Sequence, residues 1–443
     1  MGSPSGQLRR AVVSGYLGSV IEFYDFMLYA TASAVVFSKV FFSSLDPAVA
    51  TIASFGTLAT GYIARPLGGV IFGHFGDLLG RKRMLVLSMT LMGLASFLIG
   101  LLPTYRQIGV WAPIGLVALR LVQGVSVGGE WGGAVLMSAE HATSRRGLWA
   151  SFGNAGAPSG ILLSTVVLSA TSALVGEDAF LAWGWRIPFL VSLLLLAVGL
   201  FVRLRVTETP AFEVAKRQAR TRRFPVVEVL RRHPRTLLLG IGVGLAAFVA
   251  QATMTIFVIA YGVRVGHTRQ DMLNALTIST AFAIFGILGW SALTDRVGRK
   301  PVVVAGALAM AGYSFLLFPL VQSSSFGAVV LALTLGNAVI QPMIYGPLAA
   351  LYAELFSTEN RYTGASLGYQ LASLGAGFAP LLFAQVQQVT GSSDTVLISA
   401  TISAFCLLSV ACIAALKETS RRDLQAAPAP VLGKPAASGR ELS

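Results

Sequence analysis

Two stretches decide the fold: "GHFGDLLGRKR" at residues 73–83 and "SALTDRVGRKP" at residues 291–301. Both contain Asp-x-x-Gly-Arg-Lys, as Asp77–Lys82 and Asp295–Lys300, and both lie between two long apolar runs. A second pair of landmarks follows in register. Glu140 precedes Arg146 and Gly147, and Glu354 precedes Arg361 and Gly364, 63 and 59 residues after the two aspartates. A chain that repeats charged landmarks at this spacing is internally duplicated.

Outward from these loops the sequence is apolar. Hydrophobic residues make up 55% of the 443 and charged residues only 12%, against roughly 25% charged in a soluble domain. A membrane-crossing helix needs about 20 mostly apolar residues. Spans of that kind are read at 11–37, 48–75, 84–102, 109–139, 147–174, 186–206, 236–263, 273–293, 301–321, 327–353, 363–388 and 394–416. The runs are too long for the roughly ten-residue alternating strands of a membrane barrel. The predicted fold is an all-α membrane protein, twelve transmembrane helices in two pseudo-symmetric six-helix bundles. The bundles are 1–206 and 236–416, joined by a basic linker at 207–235 that has room for one amphipathic helix. The tail, 417–443, is rich in Ala, Pro and Gly and is predicted to be disordered.

The net charge of +14 is a topology signal rather than a nucleic-acid footprint. With residue 1 in the cytoplasm, 26 of the 33 Lys and Arg fall in cytoplasmic loops and tails, ten of them in or at the edge of the linker. The positive-inside rule then places both termini in the cytoplasm. Arg9 and Arg10 precede an apolar stretch in the manner of a signal sequence. That stretch runs on through Glu22 and Asp25 without a small-residue cleavage site, so it reads as a retained first helix. Cys406 and Cys412 are separated by about 9 Å of helical rise and read as core residues, not a bridge. The four histidines show no metal-ligand spacing, and no cofactor is expected.

Ionisable residues inside spans are costly, about 2.5–3.5 kcal/mol each at a helix centre, and tend to be functional. Glu22 and Asp25 in "SVIEFYDFMLY" fall on one helix face. Arg65 lies inside the second span, and Arg120 and Glu130 inside the fourth. Opposite charges on neighbouring helices neutralise each other, and a carboxylate so held can bind and release a proton. Glu22 or Asp25 is the first choice for that role and Glu130 the next. A purely structural ion-pair network is the competing reading. Tyr24, Gln123, Asn154, Gln251, Asn337, Gln341, Tyr345, Tyr369 and Gln370 are candidates for the cavity wall, although tyrosines near span ends also serve as interface anchors. Pro158, in "GNAGAPSG", is a candidate bend in the fifth span. The duplicated loops, with Gly73, Asp77, Gly80, Arg81, Lys82, Asp295, Gly298, Arg299 and Lys300, and their partners Glu140, Arg146, Glu354 and Arg361, read as a latch between the halves. Ser291 stands where the first copy has Gly73, so the second latch is expected to pack less closely and hold more weakly.

These strings resemble the major facilitator superfamily and, within it, the metabolite:proton symporter family, which includes bacterial shikimate, α-ketoglutarate, citrate and proline/betaine transporters. "EFYDF", "ARPLGGVIFGHFGDLLGRKR", "LRLVQGVSVGGEWGGA", "WGWRIPF", "ETPAF" and "ELFSTENRYTGASLGYQLAS" carry the likeness over nearly the whole chain. The Asp-x-x-Gly-Arg-Lys loop alone marks only the superfamily. "GGEWGGA" and the second-span stretch look most like the shikimate-type branch. The resemblance implies two bundles rocking about a central cavity, Asp77, Arg81 and Arg299 as latch elements, and Arg120 as part of the proton-coupling apparatus. The expected protein is a monomeric, multi-pass bacterial inner-membrane symporter for a small organic acid or zwitterionic metabolite. It uses the proton as coupling ion and takes the lipid bilayer and a small molecule, not nucleic acid, as partners. A proton-coupled exporter on the same fold remains the alternative. No nucleophile–base constellation of an enzyme is visible.

Overall fold

The computed structural model describes residues 4–209, 212–213, 225–390 and 395–420. Residues 210–211 and 214–224 of the basic linker and 421–443 of the tail lie outside the described residues.

Twelve long helices follow one another: α1 (Pro4–Ala32), α2 (Pro47–Leu79), α3 (Arg81–Leu101), α4 (Trp111–His141), α5 (Arg146–Val175), α6 (Arg186–Leu204), α7 (Pro234–Arg264), α8 (Arg269–Val297), α9 (Arg299–Gln322), α10 (Phe326–Leu355), α11 (Arg361–Thr390) and α12 (Val396–Ala415). Among the described residues ten are long and apolar enough to cross a membrane, and α2 and α11, of 33 and 30 residues, match them in length. Side chains such as Ile63, Leu174 and Phe285 point outward, as they do where lipid is the solvent.

The duplication read in the sequence is visible in the packing. Within the first half α1 packs on α5, α2 on α4 and α3 on α6; within the second, α7 packs on α11, α8 on α10 and α9 on α12. Across the halves α2 meets α11 and α5 meets α8. These are the same contact with the two halves exchanged.

Glycines set how closely the helices approach. A Cβ on Gly68 of α2 would fall on the Val125 carbonyl oxygen of α4, and one on Gly128 of α4 on the Arg65 carbonyl oxygen of α2. The two backbones therefore touch directly, the way close-packed membrane helices associate. Gly286 of α8 against the Ala338 carbonyl of α10 repeats this in the second half.

Two local features bear on the site. Wide i→i+5 turns, which recur at functional positions, follow α1 at Ser33–Phe37 and fall within α7 at Thr253–Phe257. The joints between α2 and α3 and between α8 and α9 are single residues, Gly80 and Gly298, with φ of +112° and +99°. Only glycine takes such angles without strain.

Part of the linker forms the expected amphipathic helix, Pro225–Arg232, with Val229 buried and Arg232 largely exposed. Pro158 lies within the continuous helix α5. Arg203, within the span read at 186–206, lies in α6 and is buried.

Candidate functional site

The first turn of a helix leaves N–H groups without intrahelical acceptors and carries a partial positive charge. Both loop aspartates exploit this across the interface. Asp77, at the end of α2, accepts the backbone N–H groups of Tyr362 (3.1 Å) and Thr363 (2.9 Å) and the Thr363 hydroxyl (2.9 Å) at the start of α11. Asp295, at the end of α8, accepts the N–H groups of Gly147 (2.7 Å) and Leu148 (3.0 Å) at the start of α5.

Around each aspartate the arginines and glutamates close a buried bracket. Glu140 of α4 pairs with Arg81 of its own half and, at 2.6 Å, with Arg361 of the other. Glu354 of α10 pairs with Arg299 of its own half at 3.1 Å and with Arg146 of the other at 3.2 Å. Arg299 also holds Asp295 at 2.8 Å. Removing one member of a buried pair strands the other charge, typically at about 3–5 kcal/mol. The expectation that the second copy packs less closely is corrected here. Ser291 is fully buried, and the close approach comes from the opposite side of the interface, where a Cβ on Gly147 would sit 2.7 Å from the Ser291 carbonyl. In the first copy the glycine is Gly73, facing Thr363. The small residue has changed sides and the contact is equally close.

Sequence reading missed one element of this end. Glu208-Thr209 follows α6 and Glu418-Thr419 follows α12. The Glu208 carboxylate accepts the Lys82 N–H at 3.1 Å, and Glu418 accepts those of Arg299 and Lys300 at 3.0 Å each. Each glutamate thus caps a helix start, of α3 or α9, that its glycine joint cannot cap. Lys82 and Lys300 return the favour by donating to the last carbonyls of α6 and α12, from Leu204 and Leu416. The repeated Glu-Thr dipeptide was the available signal, but it is too short to stand out. Partial burial alone would raise the Glu418 carboxyl; the N–H groups of Arg299, Lys300, Ser420 and Thr419 outweigh it and hold the group below its ordinary 4.5.

Deeper in, the helices bring Glu22, Asp25, Arg65, Arg120 and Gln123 to one pocket between α1, α2, α3 and α4. The arginines are not paired with the acids; they lie on aromatic faces. Arg65 sits over Tyr62 (4.7 Å) and Phe26 (5.1 Å), and Arg120 over Tyr29 (4.1 Å) and Phe26 (5.6 Å). Gly61 makes room for this, since a Cβ there would meet the Arg120 side chain. Arg120 donates to Gln123 (3.1 Å), which donates to Ser96 (2.5 Å). Asp25 accepts from Ser192 at 2.6 Å through one oxygen, while its Oδ2 and Glu22 Oε2 are buried without a hydrogen-bond partner.

Glu130 does not join this group. It accepts two bonds from Arg203 (2.5 and 2.8 Å) and one from Ser88 (2.9 Å), all buried. The pairing of Glu130 with Arg65 or Arg120 is therefore corrected: the guanidinium comes from α6. Tyr24 is also outside the pocket, donating to the Pro188 carbonyl at 2.8 Å.

A second pocket lies between α5, α7, α8 and α10. Gln251, Asn337, Gln341 and Tyr345 line it together with Pro158, and no charged residue does. The α5 wall of this pocket packs on α1 beside Glu22, where a Cβ on Gly160 would fall on the Val20 carbonyl oxygen and close to the Tyr24 nitrogen, so the two pockets adjoin.

Between these pockets and the brackets, the halves meet in an uncharged seal. The Trp131 and Tyr369 rings stack with centroids 3.5 Å apart and planes 12° from parallel. Asn154 ties them in, accepting from the Trp131 indole and donating to the Tyr345 carbonyl, both at 2.8 Å. Gln370 donates to the Gly128 carbonyl at 3.2 Å, and Tyr362 to that of Gly129 at 2.7 Å. Tyr369 and Gln370, assigned above to the cavity wall, belong to this seal. Among the described residues no group of three His, Cys, Asp or Glu side chains is placed to hold a metal.

The sequence model of a family described as the Major Facilitator Superfamily matches residues 16–380 and 243–440. The chain is 39% identical over 420 residues to the shikimate transporter of Escherichia coli strain K12, covering 93% of this chain and 95% of that one. It is 34% identical to the proline/betaine transporter of Salmonella typhimurium, covering 95% and 86%. Among solved structures it is similar to the proton:xylose symporter XylE bound to 6-bromo-6-deoxy-D-glucose. The TM-score is 0.75 at 18% identity, over 96% of this chain and 98% of that one.

Proposed function

The chain belongs to the major facilitator superfamily, and from that premise we propose that it is a secondary active symporter, importing a small organic acid or zwitterionic metabolite together with protons. It is a multi-pass membrane transporter and not an enzyme. The observation that carries the proton coupling is the pair of acids Glu22 and Asp25, each with a buried oxygen lacking a partner, in the same pocket as Arg65 and Arg120.

An ionised carboxylate inside a membrane protein is expensive unless an opposite charge stands close. When a substrate carboxylate occupies the arginines, they offer less to Glu22 and Asp25, and a proton on one of the acids restores neutrality. Substrate and proton then favour each other's binding. The proton is the coupling ion, and no cofactor is required.

In this reading the bundles 1–206 and 236–416 rock about the linker 207–235, as a single chain without a partner subunit. The excess of Lys and Arg at the latch end argues that it faces the cytoplasm of a bacterial inner membrane, with both termini on that side. The latch and the aromatic seal then close the cytoplasmic route, and their release opens it.

Uptake into proteoliposomes with an imposed pH gradient tests the proposal. Shikimate and glycine betaine, suggested by the named relatives, are the first solutes to use. Uptake should rise with an inward proton gradient and collapse with a protonophore; uptake indifferent to both removes the symport reading.

A further inference from the structure

The aromatic rings that back the two arginines of the first pocket narrow the substrate. Quaternary ammonium groups are recognised by open aromatic faces that stabilise the cation. Phe26, Tyr29 and Tyr62 form such a set, but the protein's own cations already cover it, with Arg65 and Arg120 at 4.1–5.6 Å from the ring centroids. A trimethylammonium head entering here would displace a guanidinium and meet two positive charges. A carboxylate would meet two guanidinium groups held by rings rather than by carboxylates, with their hydrogen-bonding edges only partly used.

The adjoining pocket complements this. Gln251, Asn337, Gln341, Thr255 and Thr280 present amides and hydroxyls, and nothing charged lines it. Such groups both donate and accept, as is needed for hydroxyl recognition. They offer neither an acid for a substrate cation nor a base for a second carboxylate.

We infer that the transported molecule is a small monocarboxylate bearing several hydroxyl groups, with its carboxylate on Arg65 and Arg120 and its hydroxyls against Gln251, Asn337 and Gln341, and that quaternary ammonium compounds are rejected. This deepens the proposed function and rests on it only in taking the two pockets as the transport site.

Thermal stabilisation of the purified full-length protein tests the inference without any proton gradient, because a ligand of the native state raises its melting temperature. The probes are shikimate, quinate and gluconate, then methyl shikimate, cyclohexanecarboxylate and glycine betaine. At least one hydroxylated acid should bind about tenfold or more tightly than the ester, the hydroxyl-free acid and the betaine, since buried polar groups left unpaired weaken binding. The acid-over-ester preference should collapse in Arg120→Gln and partly return in Arg120→Lys, and the preference for hydroxyls should fall in Asn337→Ala. Stabilisation by glycine betaine equal to that by the acids, or by none of the three acids, overturns the inference. Gradient-independent uptake, by contrast, would remove proton symport and leave this ligand order standing.

Discussion

Arg361 reaches across the interface to Glu140 at 2.6 Å, and both side chains are sealed from solvent. The pair joins α11 of one half to α4 of the other, beside the Asp77 bonds to the same helix start. Glu140→Gln leaves two arginines without their carboxylate, and a buried pair broken in this way loses about 3–5 kcal/mol. With Cys406 and Cys412 replaced by serine, a cysteine at Ser366, buried against Gly132, should be labelled by a membrane-impermeant maleimide at least about tenfold faster in Glu140→Gln than in its parent, as population-shift arithmetic requires. An unchanged rate means that the bracket does not hold the closed state.

Asp25→Asn removes a titratable oxygen while keeping most of the shape and the Ser192 contact. It should abolish gradient-driven accumulation yet retain exchange of labelled for unlabelled solute in counterflow. Arg120→Gln should abolish both. Normal accumulation in Asp25→Asn would move the proton site to Glu22.

Trp131→Ala removes a fully buried ring stacked on Tyr369 and leaves Asn154 without its indole donor. Large-to-small changes of this kind cost about 3–5 kcal/mol. Because the stack bridges the halves, the loss falls on the closed state alone. The variant should therefore fold and insert, melt at a lower temperature, and label faster at Ser366, whereas Trp131→Phe should lie between the two.

Gly128→Ala places a methyl on the Arg65 carbonyl, where backbone meets backbone and no side chain can swing away. Folded, monodisperse protein should be lost or greatly reduced in detergent. Gly312→Ala, where a Cβ meets nothing within 4 Å, should be neutral.

Glu418 supplies a pH dependence outside the membrane. Its carboxyl sits below the ordinary 4.5 when folded, so its contribution is present above that value and is lost as pH falls through the folded value. Glu418→Gln should lower the melting temperature at pH 7. The gap to the parent should narrow on acidification below about 4.5, and a gap constant with pH would exclude the capping role.

The architecture was legible because it is written in long apolar runs and in charged landmarks that repeat in register. Asp77 and Asp295, Glu140 and Glu354 could be matched without coordinates. The rotation of each helix about its axis could not. Glu130 and Arg120 share a helix, but ten residues of twist turn Glu130 towards α3 and α6, where Arg203 waits. Tyr369 and Gln370 read as cavity residues because polarity in a span suggests a lining; they instead satisfy and stack on groups of the opposite half. The cation–π arrangement of Arg65 and Arg120 was hidden for the same reason. It needs Phe26, Tyr29 and Tyr62 from two helices to converge.

The two brackets lie on opposite flanks of the cavity, one joining α2 to α11 and the other α5 to α8. If the bundles rock as proposed, whichever bracket lets go first leaves the survivor as an axle, and the bundles swing apart like a door rather than separating evenly. The order of release then chooses the side on which the passage widens. A variant lesioned in one bracket would tilt about the other, giving each half of the duplication its own characteristic leak.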